Sequence, residues 1–218
     1  MLCVGTRSST QSNWRSAWTL NWLWGWTLLI ILTAMIAAHP LLLIPINPEL
    51  LAERQKGMLD EGVKQWDKWI TTATGGLMVA TWIVAGLDLR LGWGDGLPLA
   101  AHLVGAAFTA LGLALFMWAM TANAFFAEGV RIQKERGHTV ATGGPYHIVR
   151  HPGYSGTIVA QLATPFLLGS WWALIPAAAL AALFVLRTAL EDRTLQAELP
   201  GYVEFTRRTR FRLLPGIW

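Results

Sequence analysis

Cysteine is almost absent from this sequence of 218 residues. Cys3 stands alone, so neither an intrachain disulfide nor a cysteine-based zinc site can form. Charge is also scarce. Asp, Glu, Lys and Arg make up 14% of the chain, against about 25% in an average soluble domain. No charged residue falls between Arg15 and Glu49, Lys68 and Asp88, Asp95 and Glu128, or Arg150 and Arg187. The five histidines and the carboxylates show no metal-ligand spacing. The chain has no H-E-x-x-H, no Walker loop, no G-x-S-x-G and no G-x-G-x-x-G. It shows no internal repeat and no long low-complexity segment.

What fills the gaps is apolar. Hydrophobic residues are 54% of the chain. A membrane-spanning helix needs roughly 20 such residues in a row, and each charge-free window provides them. The alternative, a soluble helical protein, would have to hide all these runs at once. The sequence therefore predicts an all-α integral membrane protein. Many of the 13 tryptophans mark run ends, as interfacial belts require: Trp14, Trp18, Trp22, Trp66, Trp69, Trp93, Trp171 and Trp172. The net charge of +4 flanks apolar runs rather than forming a nucleic-acid patch. The N-terminal run is longer than the core of a secretion signal and lacks an obvious cleavage site.

Five spans are expected. The first covers residues 18–38 and ends at Pro40, Pro45 and Pro48. Residues 49–68 read as an amphipathic interfacial segment. Spans two and three cover residues 69–87 and 97–123. The 151–186 window is broken by Pro165, Gly169, Ser170 and Pro176. It reads as a hairpin: residues 155–168, a turn at 169–172, then 173–195. Basic residues in 124–155 and in the tail 187–218 place both on the cytoplasmic side. Loop 39–68, with four Lys or Arg, joins them. The 88–96 turn and the N-terminus lie outside.

Two polar clusters interrupt the apolar pattern. GPYHIVRHPGYSG, residues 144–156, brings Tyr146, Arg150, His151 and Tyr154 to the mouth of an apolar run. Polar groups at such a depth usually line a site. Free backbone amides at a helix start, with Pro152 in first position, can take an anion at residues 152–156. His151 is either part of that site or an interfacial anchor. The second cluster, RTALEDRTLQAELPGY, spans residues 187–202. Arg187 and Glu191 are four apart and share a helix face. They form either a surface ion pair or a functional pair opposite His151. His138 and Thr139 sit in a loop before Gly143 and Gly144, while His39 and His102 read as structural.

The order of motifs is specific. Gln133, GHTVATGGPYHIVRHPGYSG, R-x-x-x-E, L-x-x-x-LPGY and a basic stretch ending RLLP follow one another. This order resembles the isoprenylcysteine carboxyl methyltransferase family and its bacterial relatives, over roughly residues 120–218. NPELLAERQK, residues 47–56, looks like the bacterial members too. The resemblance implies S-adenosylmethionine as cofactor, held without a Rossmann domain. It implies a pocket lined by Gln133, His138, Thr139, Val140, Ala141, Tyr146, His151, Pro152, Gly153, Tyr154 and Glu191. Arg187 would face the substrate carboxylate, with Arg187 and Glu191 as the catalytic pair. Asp192 stands where many members carry a second Glu.

On this reading residues 1–123 hold N-terminal spans and the interfacial segment, and residues 124–218 form the catalytic region. The partners implied are the membrane and a lipid or a lipidated small molecule or peptide, with no nucleic acid. The place implied is the bacterial inner membrane, with the site facing the cytoplasm. Carboxyl methylation of a prenylcysteine-like substrate is the leading expectation. Methylation of a phospholipid or another amphipathic acceptor, an NADPH-dependent sterol-type reductase, and a non-enzymatic membrane protein are the alternatives. The sequence leaves the oligomeric state open.

Overall fold

A computed structural model describes residues 22–57 and 62–218. The start of span one at residue 18, the outside placement of the N-terminus and part of the interfacial segment lie outside the described residues. Among the described residues seven α-helices follow in order: α1 (Leu23–Ile46), α2 (Pro48–Lys56), α3 (Gln65–Leu91), α4 (Leu99–Thr121), α5 (Pro152–Leu168), α6 (Leu174–Glu198) and α7 (Tyr202–Arg208). Two short 3-10 turns, Lys134–Arg136 and Gly144–His147, punctuate the segment before α5. No strand occurs among the described residues. The protein is an all-α integral membrane protein. α1, α3, α4 and α6 are long and apolar enough to cross a membrane. α5 has 17 residues, a length of about 25 Å at 1.5 Å per residue.

Two expectations about proline are corrected. Pro40 and Pro45 do not end the first helix, because α1 runs through both to Ile46. Each removes one backbone donor, but packing outweighs the loss. Leu43 is fully buried in a cluster with Leu50, Met117 and Met120. The helix stops at Asn47, whose side chain accepts from the Leu50 N–H at 2.9 Å and starts α2. Pro165 likewise stays inside α5. The turn after α5 falls where it was expected. Gly169 closes the helix at φ +83°, where a Cβ would lie 2.6 Å from the His102 ring.

α2, within the segment expected to be amphipathic, buries one face against the bundle. Leu50 and Glu53 are buried, and Glu53 accepts hydrogen bonds from Arg131 and from Lys56, the latter at 2.7 Å. The helix packs inward because its carboxylate meets an arginine from the later polar segment.

The contacts sort the bundle into two ends. At one end His102 stacks on Trp24 with centroids 4.4 Å apart, and its Nδ1 lies 2.8 Å from the Leu167 carbonyl. There Ser170 also donates to Asp88 at 2.6 Å. At the other end α2, the start of α3, residues 122–151, the end of α6 and the tail converge. The Arg150 and His151 amides donate to the Phe211 and Arg212 carbonyls, each at 2.9 Å. Segment 124–155 and the tail are therefore at the same end of the bundle.

α4 and α5 pack in the closest approach of the fold. A Cβ on Gly112 would lie 2.5 Å from the Gly156 carbonyl and 2.6 Å from the Ala160 nitrogen. Those are backbone atoms and cannot step aside. We predict that Gly112→Ala destabilises the protein by about 1–3 kcal/mol through overpacking. Gly75→Ala, which meets nothing within 4 Å, should be neutral or slightly stabilising. Thermal unfolding of both variants in detergent checks the contrast, and equal shifts would contradict it.

Candidate active site

A cavity of about 290 Å³ opens among α2, α3, α4, α5, α6 and α7 and the segment joining α4 to α5. Its volume is near the lower end of small-molecule sites, roughly 300–1,000 Å³. Aromatic rings dominate the wall: Phe116, Phe125, Phe126, Tyr146, Tyr154, Phe184, Tyr202 and Phe205. Of the residues singled out in the sequence, His138, Thr139, Val140, Ala141, Tyr146, His151, Gly153, Tyr154, Arg187 and Glu191 reach this wall. Gln133 and Pro152 do not. Gln133 is fully buried behind it, with Nε2 donating to the Phe125 carbonyl at 2.9 Å and Oε1 accepting from Arg136. Pro152 opens α5 and is buried. The wall also draws on Arg54, Thr71 and Phe116, so it crosses the expected boundary at residue 123.

Tyr154 and Glu191 form the centre of the polar surface. The Tyr154 hydroxyl donates to Glu191. The expected Arg187–Glu191 pair does not form. Arg187 grips Asp67 instead, with Nε to Oδ1 at 2.7 Å and Nη2 to Oδ2 at 3.0 Å. Nη2 also donates to the Glu128 carbonyl at 2.7 Å. The fork of Arg187 is thus committed to a buried carboxylate from α3, and its planar face lies 5.0 Å from the Tyr154 ring centre. Glu191 makes no ion pair with a cation among the described residues.

His138 stacks on Phe125 at 4.5 Å, and its Nδ1 accepts from the Gln133 N–H at 3.3 Å. Burial, reinforced by Arg131 and Arg136, pushes its pKa down to about 4. The ring is therefore neutral around pH 7. Burial also holds the Tyr146 hydroxyl far above its usual range, so it stays protonated. It accepts from Asn123 Nδ2 at 3.2 Å.

The amide cradle expected at residues 152–156 is partly filled by the chain itself. The Tyr154 and Ser155 amides donate to the His151 carbonyl at 3.1 Å, and Ser155 Oγ donates to the Leu213 carbonyl at 2.7 Å. His151 faces Asp192, at 3.4 Å, and the Tyr202 hydroxyl, at 3.3 Å.

Sequence reasoning missed three residues here. Asp67 falls in the segment whose charge spacing predicts an interfacial helix, and nothing local links it to a residue 120 positions away. Asp192 collects Arg150, Arg212, Tyr202 and Gln196 from behind the cavity. Only its place beside Glu191 hinted at a role. Thr71, one turn beyond Asp67, places a hydroxyl oxygen on the cavity side that is buried and without a hydrogen-bond partner.

The Asp67–Arg187 pair is buried on both sides. Removing one partner strands the other charge, at a cost of roughly 3–5 kcal/mol. We predict that loss for Asp67→Asn in chemical unfolding, with part of it recovered in the double variant Asp67→Asn/Arg187→Gln. A loss below about 1 kcal/mol in the single variant would show that the pair does not hold α3 to α6.

Residues 104–197 match the model of the isoprenylcysteine carboxyl methyltransferase family. A search of curated proteins gave no match. The matched stretch runs from α4 almost to the end of α6, and contains Gln133, residues 138–154, Arg187 and Glu191. The segment that supplies most of the cavity wall is thus the part of the chain that is similar to the isoprenylcysteine carboxyl methyltransferase family.

Proposed function

We propose that this membrane methyltransferase uses S-adenosylmethionine to methylate the carboxyl group of a prenylcysteine-like or other lipid-like acceptor. The observation that carries the reading is Glu191: a carboxylate on an aromatic wall, bonded to Tyr154 and matched by no cation among the described residues. Such a site suits a cationic ligand, since aromatic faces and a carboxylate outside any direct ion pair both favour positive charge. When bound, the cofactor supplies an electrophilic methyl group on a cationic sulfur.

The chain's own groups then have simple duties. Glu191, with Thr139, Val140, Ala141, Tyr146, His151, Gly153 and Tyr154, would hold the cofactor. Gln133 and Pro152 would support that wall from behind. Tyr154 fixes the Glu191 carboxylate by donating to it. Neutral His138 adds no positive charge to repel a cation. The aromatic rings exclude water, which would otherwise solvate the attacking group. A carboxylate acceptor is ionised at neutral pH and needs no base. Methyl transfer then depends mainly on alignment. Arg187, neutralised by Asp67, would set the wall beside the acceptor rather than clamp its carboxylate with a free fork.

The cavity reaches Thr71, Thr157 and Phe184, within helices α3, α5 and α6. That depth suits an acceptor whose tail lies in the bilayer. The basic residues at this end support a cytoplasmic orientation in a bacterial inner membrane. Residues 124–218 carry the greater part of the catalytic region, and the N-terminal helices complete it.

We predict that Glu191→Gln weakens S-adenosylmethionine binding by about 10- to 150-fold, the equivalent of roughly 1.5–3 kcal/mol for a hydrogen bond to a charged group. The unfolding transition should be unchanged. Titration of the purified protein in detergent measures the affinity. Wild-type affinity in the variant would remove Glu191 from the cofactor site, and saturable binding of NADPH in place of S-adenosylmethionine would overturn the methyl-transfer reading.

A further inference from the structure

The arginines on the cavity wall are not equivalent. Arg187 holds buried Asp67, Arg150 holds buried Asp192, and Arg131 holds buried Glu53. Arg54 differs. Its side chain is 12% exposed, and its only carboxylate among the described residues is Glu128, 3.4 Å away with a side chain 43% exposed. The other bonds of Arg54 go to neutral acceptors: Nε to His39 Nε2 at 3.1 Å and Nη1 to the Phe126 carbonyl at 3.1 Å. A guanidinium has five N–H groups, and these three bonds leave two without an assigned acceptor. Burial already disfavours its charge, lowering its pKa.

Glu128 is placed to yield. Its backbone is fixed, with the carbonyl taken by Arg187 and the Val130 N–H, two residues on, donating to Asp67 at 2.7 Å. Its carboxylate reaches out into solvent. The side chain can therefore swing away from Arg54 without moving the strap that carries it. A water-exposed carboxylate leaving a long ion pair gives up little, since such pairs contribute about 0–1 kcal/mol.

We infer that Arg54 binds the acceptor's carboxylate, and that Glu128 is the resident counter-ion which the acceptor displaces. The inference rests on the proposed carboxyl methylation. α2 lies outside residues 104–197, the stretch that matches the family model, so Arg54 reaches the wall from outside that stretch. On methylation the acceptor's oxygen gains a methyl group and loses its charge, while the sulfonium becomes a neutral thioether and no proton moves. The ester no longer pairs with Arg54, and Glu128 returns. Substrate capture and product release thus share one switch of counter-ions.

The test uses the full chain in lipid nanodiscs. The probes are N-acetyl-S-farnesylcysteine, its neutral methyl ester, and S-adenosylmethionine in parallel. Wild-type protein should prefer the acid to the ester. Arg54→Gln should weaken the acid by about 10- to 150-fold and leave the ester nearly unchanged. Glu128→Gln, at an exposed side chain, should tighten the acid several-fold by removing its competitor. Neither variant should alter S-adenosylmethionine affinity beyond about twofold. Equal losses for acid and ester in Arg54→Gln, or a weakened acid in Glu128→Gln, would overturn the inference. So would wild-type protein that binds S-adenosylmethionine but neither probe, and that result would leave the methyltransferase reading intact. Wild-type protein that prefers the acid through Arg54 yet ignores S-adenosylmethionine would do the reverse.

Discussion

The site depends on one buried carboxylate. Asp192 is fully buried and accepts from Arg150 Nη2 at 3.1 Å, Arg212 Nε at 2.9 Å, Tyr202 at 3.0 Å and Gln196 at 2.9 Å. These donors come from the entry to α5, the tail, α7 and α6 itself. A buried charge is costly unless it is paired and hydrogen-bonded, so the chain must bring all four segments together to bury it. The neighbouring residue, Glu191, faces the cavity. Two adjacent carboxylates on α6 thus divide the work: one holds the wall in place, and the other presents its charge to the cavity.

A second ion pair gives the cavity its membrane-ward side. Asp67 ties α3 to α6 through Arg187 and also accepts from the Val130 N–H. Arg54 and Arg187 both hold residue 128, one by its side chain and the other by its carbonyl. The strap from residue 126 to 130 is therefore fixed from α2, α3 and α6 at once. This arrangement leaves Glu191 outside any direct ion pair and Arg54 with only a weak one among the described residues, and these two charges carry the proposals for cofactor and acceptor.

Much of this was legible in the sequence. Gaps between charges located α3, α4 and the α5–α6 hairpin, since a lipid-exposed helix tolerates few charges. Gly169 marked the turn because its backbone needs a positive φ. Ten of the twelve residues singled out for the site reach the cavity. The prolines of α1 misled, since packing around Leu43 compensates for two missing donors. The inward face of α2 was not legible because Arg131, Phe126 and Glu128, which meet Glu53 and Arg54 there, lie more than 70 residues later. Arg187 and Glu191 share a helix face, but periodicity could not show that Asp67 would take the guanidinium first.

The most direct test is amide hydrogen exchange on Asp192→Asn in detergent. Asp192 is not among the residues lining the cavity, so any effect on the site must pass through the elements it joins. Faster exchange is expected at Arg150 and His151, whose amides donate to the Phe211 and Arg212 carbonyls, and through α7, while the α4–α5 interface around Gly112 keeps its protection. Unchanged protection at residues 150–151 and in α7 would contradict the claim that this carboxylate holds the site together.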